Sequence, residues 1–175
     1  LAAKQIANDR LRLLTLLKID VDGLVVAKPA PRDQIKVGQW AVALGRTLDN
    51  SAPSLSVGIV SAVNRVWGKA IQTDAKTSPV NYGGALIDIE GRVLGVIAPL
   101  SPTGGGETAG VEWYDGGIGF AIPLEDIYAS LDRLKQGTDL LPGLMGLTFA
   151  GGQSRNVPVV VDRCRFSSPA QQAGL

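Results

Sequence analysis

The chain has 175 residues, with 17 Lys and Arg against 16 Asp and Glu, no His and one Cys, a length that suits one or two compact domains. The near-neutral balance leaves no basic stripe and only 5% of residues are aromatic, which excludes both the electrostatic footprint and the stacking platform of a nucleic-acid binder. No run reaches the roughly 18 apolar residues of a membrane-spanning helix, and the lone Cys164 excludes an internal disulfide.

The 22 Gly and 10 Pro announce many turns, as in an all-β architecture. Residues 1–6 read as the end of a strand, and Asn8-Asp9-Arg10 as a turn. Residues 13–19 form an apolar run that reads as a buried strand. Asp20-Val21-Asp22-Gly23 is a turn, residues 24–27 a short strand, and residues 29–32 a proline-broken loop. Strands follow at residues 39–44, 56–65 and 70–73. Residues 85–89 pair with 92–98 across Glu90-Gly91, a hairpin signal. Residues 119–122 close the set, and this spacing favours a barrel or sandwich.

Residues 99–117 are a Gly-rich surface loop, long enough to be functional or mobile, that Trp113 and Tyr114 anchor. Residues 124–136 read as a helix, with Pro123 before it, Ile127, Leu131 and Leu134 at helical spacing, and Gly137 ending it. Residues 138–142 are a linker. A second module starts near Gly143, with strands at 147–149 and 157–162, and Ser168-Pro169-Ala170 opening a short helix. The chain starts inside a strand and stops inside a helical turn, so it is read as a segment of a longer protein.

The informative segment is Thr73-Asp74-Ala75, a short loop, then Asn81-Tyr82-Gly83-Gly84-Ala85-Leu86. A tight Asn-x-Gly-Gly turn feeding a hairpin of buried strands presents residue x at a cleft, and the glycines permit the backbone approach that such a turn needs. The segment resembles the active-site loop of the HtrA/Deg family of trypsin-fold serine proteases, which reads Thr-Asp-Ala and then Asn-Pro-Gly-Asn-Ser-Gly-Gly. Other segments agree in order. Lys36 to Gly45 resembles a family strand with its following glycine, Ser56 to Ala62 the next, and Gly117 to Pro123 the strand lining the specificity pocket. Gly143 to Leu175 resembles the opening of the PDZ domain that follows the protease.

The resemblance implies an all-β, trypsin-like double β-barrel. Residues 1–137 form the protease domain, its N-terminal barrel truncated and its C-terminal barrel nearly complete, and residues 143–175 form a partial PDZ domain. It also implies peptides or unfolded proteins as partners, trimers as the assembly, and the bacterial cell envelope or periplasm as the location. No cofactor and no metal is implied.

The departures fall at the chemistry. The family's serine falls on Tyr82, whose phenol is a weak acyl acceptor and a good leaving group. The ring is expected to enter the cleft and plug a disused pocket. The glycine whose amide helps bind the oxyanion falls on Val80, and a β-branched residue resists positive φ. The aspartate that orients the histidine falls on Leu13, which cannot stabilise an imidazolium. The family's histidine falls ahead of Leu1. These positions point to a protease homologue without protease chemistry, acting in peptide or misfolded-protein binding; the alternative is a serine endopeptidase that retains activity despite the substitutions.

Other candidates have plainer readings. Asp74 is structural in the family pattern. Asp20 and Asp22 are turn formers without the further ligands a metal loop needs. Ser78 has no base beside it in the sequence, and Cys164, between Arg163 and Arg165, is inert. Leu144, Met145, Gly146 and Leu147 match the PDZ loop whose amides receive a peptide's C-terminal carboxylate before the next strand takes the peptide; the alternative is an ordinary turn into a strand.

Overall fold

Alternating large and small side chains set the strands of this protein. The computed structural model describes residues 2–46, 52–101, 117–150 and 160–175. Trp113, Tyr114 and most of the Gly-rich loop lie outside these residues, as does the start of the strand expected at 157–162. The chain divides into two units, Leu1–Leu140 and Leu141–Leu175.

The first unit is built on a closed six-stranded barrel. Its strands are β3 (Trp40–Gly45), β4 (Ser54–Asn64), β5 (Ala70–Thr73), β6 (Ala85–Ile87), β7 (Val93–Ile97) and β8 (Gly119–Pro123). They close in the order β3-β4-β5-β8-β7-β6, and every pairing is antiparallel. Closure leaves no unpaired edge within the barrel. Inside, β3 contributes only the small residues Ala41, Ala43 and Gly45, while Val60, Ile71, Leu86, Leu94 and Ile97 fill the remaining width. A narrow barrel needs such pairing of small and large residues.

Two further clusters attach to the barrel. Ala70, Ala98, Leu100, Phe120 and Ile122 pack with Ile127 of helix α2 (Leu124–Lys135) and with Leu14. Leu134 and Leu140 bury Ala7, with Leu16 against them. The helix therefore ties the barrel to a two-stranded sheet of β1 (Ala3–Asp9) and β2 (Leu14–Ile19). Acidic Glu125 and Asp126 at its start and basic Arg133 and Lys135 at its end suit the helix dipole. Beyond its last turn, the amides of Gly137 and Thr138 donate to the carbonyls of Leu134 and Arg133.

Several expectations need correction. The run at 13–19 is a strand, but it is not buried: one face is open, and Leu17 is 56% exposed. Residues 24–27 form no strand. Val25 and Val26 are 96% and 79% exposed, and apolar content cannot make a strand without a neighbour to take its backbone groups. The turn expected at Asn8-Asp9-Arg10 comes later, because β1 runs through Asp9. The Asp9 carboxylate then accepts from the amides of Leu11 and Arg12 at 3.0 and 3.1 Å and from the Arg12 guanidinium at 2.7 Å.

The one-turn α1 (Arg65–Gly68) has no sequence signal at all. Asn64, Val66 and Trp67 hold φ of 59°, 50° and 56°, a region that β-branched and aromatic residues avoid. Arg32 pins the turn by donating to Asn64 Oδ1 at 2.8 Å and the Gly68 carbonyl at 3.0 Å, while its other nitrogen pairs with Asp126.

The β6–β7 turn is held by Asp88. One oxygen accepts from the amides of Glu90 (3.0 Å) and Arg92 (2.9 Å), and the other from Arg92 Nε at 2.8 Å. Burial pushes the Asp88 carboxyl up, but these donors and the Arg92 charge outweigh it and hold the group below its ordinary value of 3.8. A carboxylate lowered on folding stabilises the fold above its unfolded pKa and loses that contribution as acid carries the pH through the folded one. The urea midpoint is therefore expected to fall below about pH 4, and Asp88→Asn to flatten that fall; an unchanged acid limb would contradict the assignment. Leu86→Ala, at a fully buried site, is expected to cost about 3 kcal/mol. Leu55→Ala on the exposed face is expected to cost under about 0.5 kcal/mol, and urea titration compares the two.

Candidate functional site

Thr73 and Asp74 anchor the entry to the β5–β6 corner. Thr73 is fully buried; its hydroxyl donates to the Ile59 carbonyl at 2.8 Å and accepts from the Ala75 amide at 3.1 Å. Asp74 Oδ1 accepts from the Ile59 amide at 2.6 Å. Asp74 is thus a brace between strands, as the sequence pattern indicates.

The corner itself is a single turn of 3-10 helix, Pro79–Asn81. Asn81 organises it. Its side-chain oxygen accepts from the Ser78 amide at 2.8 Å, its side-chain nitrogen donates to the Lys76 carbonyl at 3.2 Å, and its own amide donates to the Ser78 carbonyl at 3.0 Å. The Asn81 carbonyl then accepts from the Gly84 amide at 3.0 Å. Gly83 adopts φ +79° and donates its amide to the Ile97 carbonyl at 2.9 Å. At Gly84 a Cβ would overlap the Leu44 carbonyl, so only glycine lets the corner close on β3. The sequence flags this corner by its glycines, but nothing in the sequence identifies Asn81 as its hub.

The candidate residues divide between places. Val80 sits inside the 3-10 turn, where its φ is right-handed and compatible with a β-branched side chain. Tyr82 follows in extended conformation (φ −64°, ψ 137°) and is half-buried against the barrel core. Both line an open pocket of about 560 Å³, with Leu44, Arg46, Pro53 and Ala85 around them. Tyr82 packs on the barrel core and forms part of the wall of this pocket. Leu13 does not line this pocket. It occupies the β1–β2 turn with φ 57° and is 50% exposed. Ser78 has its amide and carbonyl committed to Asn81.

In the second unit, β9 (Leu147–Ala150) pairs antiparallel with β10 (Val160–Cys164), and Ser168 caps the short α3 (Pro169–Gln172) by accepting from the Gln171 amide. Gly146 lies at φ +79°, and a Cβ there would collide with Ser168. The carbonyls of Met145 and Gly146 accept from Ala170 (3.1 Å) and Arg165 (2.7 Å). The amides of Leu144, Met145 and Gly146 have no acceptor among the described residues. Leu144 and Met145 are exposed, and Leu147 opens β9 opposite Cys164. Cys164 is half-buried, 3.6 Å from the Ser168 hydroxyl. Among the described residues no group of three or more His, Cys, Asp or Glu is placed to hold a metal ion, and no helix is long and apolar enough to cross a membrane.

A closed antiparallel barrel with an Asn-x-Gly-Gly corner opening on a surface pocket defines a trypsin-like peptidase domain. Residues 1–96 match the trypsin-like peptidase domain family. The chain is 30% identical over 187 residues to a probable periplasmic serine endoprotease DegP-like of Marinomonas sp. (strain MWYL1), covering 99% of this chain and 38% of that protein. A protein of the same description from Hahella chejuensis (strain KCTC 2396) is 31% identical over 189 residues, with 100% and 38% covered. Among solved structures, the serine endoprotease from Yersinia pestis superposes with a TM-score of 0.72 at 29% identity, over 99% of this chain and 56% of that one. The HtrA-type protease AlgW with a decapeptide gives 0.73 at 27%, over 99% and 55%. The chain belongs to the HtrA/Deg family of trypsin-like peptidases. It spans 38% of the length of the two curated relatives.

Asn81→Ala removes the side-chain bonds to Ser78 and Lys76 from a buried position. It is expected to cost about 1–3 kcal/mol and to speed amide exchange at Gly84. Unchanged exchange there would deny Asn81 its organising role.

Proposed function

We propose that this protein is a non-catalytic member of the HtrA/Deg family that binds peptides or unfolded polypeptides in the bacterial cell envelope. The observation that carries the reading is Tyr82 at the residue between Asn81 and the two glycines, the position the family gives to its serine. Serine attacks because a base removes its proton, and the acyl-enzyme ester that forms is then hydrolysed by water in a second step. A phenolate is the poorer nucleophile and the better leaving group, so its tetrahedral adduct with a peptide bond returns the phenolate instead of releasing the amine. In a comparable triad, loss of the nucleophile alone costs on the order of a millionfold in rate.

The corner's backbone supports the same reading. Val80, at the position of the glycine whose amide helps bind the oxyanion, is folded into a 3-10 turn. Loss of one oxyanion donor costs on the order of a hundredfold or more. Leu13 adds a third loss at the position of the orienting acid.

Peptide binding draws support from the second unit, which we read as the start of a PDZ domain. The loop of Leu144, Met145, Gly146 and Leu147 turns its carbonyls inward to Arg165 and Ala170, which leaves its amides for a terminal carboxylate. The names of the relatives, which place those proteins in the periplasm, support the proposed location.

The test is turnover of unfolded casein by the full-length protein beside a Tyr82→Ser variant. Neither is expected to cleave above background, because Leu13 and Val80 persist in the variant. Cleavage by the unmodified protein would sink the proposal and favour the endopeptidase reading.

A further inference from the structure

The pocket beside Tyr82 has a chemistry of its own. Leu44, Pro53, Val80, Tyr82 and Ala85 present mostly carbon to it, and Arg46 is the one charged side chain among the described residues that line it. No carboxylate pairs with Arg46 among those residues. The amides of Asn81, Gly83 and Gly84 already donate to Ser78, Ile97 and Asn81, and the guanidinium supplies the charged donor among the described lining residues. A volume of about 560 Å³ lies within the usual range for ligand pockets, roughly 300–1,000 Å³. A planar guanidinium beside apolar walls suits a ligand that joins a carboxylate to a hydrocarbon group.

We infer that this pocket takes the C-terminal residue of a peptide, its apolar side chain against Leu44, Val80 and Tyr82 and its α-carboxylate on Arg46. The inference rests on the proposed peptide-binding function and names a ligand end and a site for it in the first unit. The pocket is open on one side, so a polypeptide can leave it, whereas the tail of a long alkyl acid would lie partly in water. No bond is made or broken; the site holds a chain end.

The test uses the full-length protein and fluorescence anisotropy. The probes are the fluorescein-labelled peptide Gly-Ser-Ala-Val-Leu with a free C-terminus and the same peptide as its amide, with octanoate as competitor. Urea midpoints verify that Arg46→Ala and Arg46→Lys remain folded. Amidation and Arg46→Ala are each expected to weaken binding tenfold or more. The two losses are not expected to add, since each removes one half of the same pair, and Arg46→Lys is expected to recover part of the affinity.

Equal binding by wild type and Arg46→Ala would overturn the inference. If Gly146→Val then abolished binding, the site would lie in the second unit and the peptide-binding function would stand. Octanoate binding that depends on Arg46, with no preference between acid and amide peptides, would overturn the peptide terminus as occupant. No binding by any probe would overturn both the pocket assignment and the binding half of the proposed function.

Discussion

The Asn81 side chain is the constraint on which the functional end of the barrel depends. It is a buried amide that holds the corner with both of its atoms, the nitrogen donating to the Lys76 carbonyl and the oxygen accepting from the Ser78 amide. A buried amide without partners would cost on the order of 1–3 kcal/mol, so the corner has one well-satisfied arrangement. That arrangement sets the Gly84 amide on the Asn81 carbonyl, and the Gly84 carbonyl then receives the Ile97 amide at 2.9 Å. The β6–β7 pairing therefore continues directly from the corner. Movement at Asn81 would reach the barrel wall within three residues.

This dependence explains how a changed residue at position 82 is tolerated. The corner is held by the side chain before it and the glycines after it, and none of those bonds uses the side chain of residue 82. Tyr82 can lie on the core while the backbone around it is retained. Val80 is accommodated in the same way. A 3-10 turn needs right-handed φ, which valine accepts, whereas an outward-flipped amide at that residue would need a conformation valine resists. The substitutions at 80 and 82 are thus compatible with each other and with the scaffold, which separates the stability of the corner from its chemistry.

Much of the barrel was legible in the sequence, because its strands alternate and its turns carry Gly or Asp. The β6–β7 hairpin was read from Glu90-Gly91 between two apolar runs, and α2 from the spacing of Ile127, Leu131 and Leu134. Failures occurred where local pattern and tertiary context disagree. Residues 24–27 have strand composition but no partner. Val66 and Trp67 take left-handed φ because Arg32 and the neighbouring strands hold them there, and no propensity predicts that. At the site, the corner was legible from its glycines, but the pocket was not. Leu44, Arg46 and Pro53 lie well before the corner (Pro79–Asn81) in sequence and meet it only through closure of the barrel.

The same closure explains the polarity of the pocket. On β3 the inward positions are Ala41, Ala43 and Gly45, while Trp40, Val42 and Leu44 point outward; β4 repeats the pattern, with Leu55, Val57 and Ile59 opposite them in register. This reverses the usual placement of large residues inside and small polar ones outside. The interior requires small residues, because Leu86, Leu94 and Ile97 already fill it from the other side. No such requirement makes the outer face apolar. Where the stripe reaches the corner, Leu44 becomes the pocket's wall and Arg46, two residues on, continues the outward series as a charge. The apolar stripe thus ends beside the pocket at Arg46, which has no carboxylate partner among the described residues.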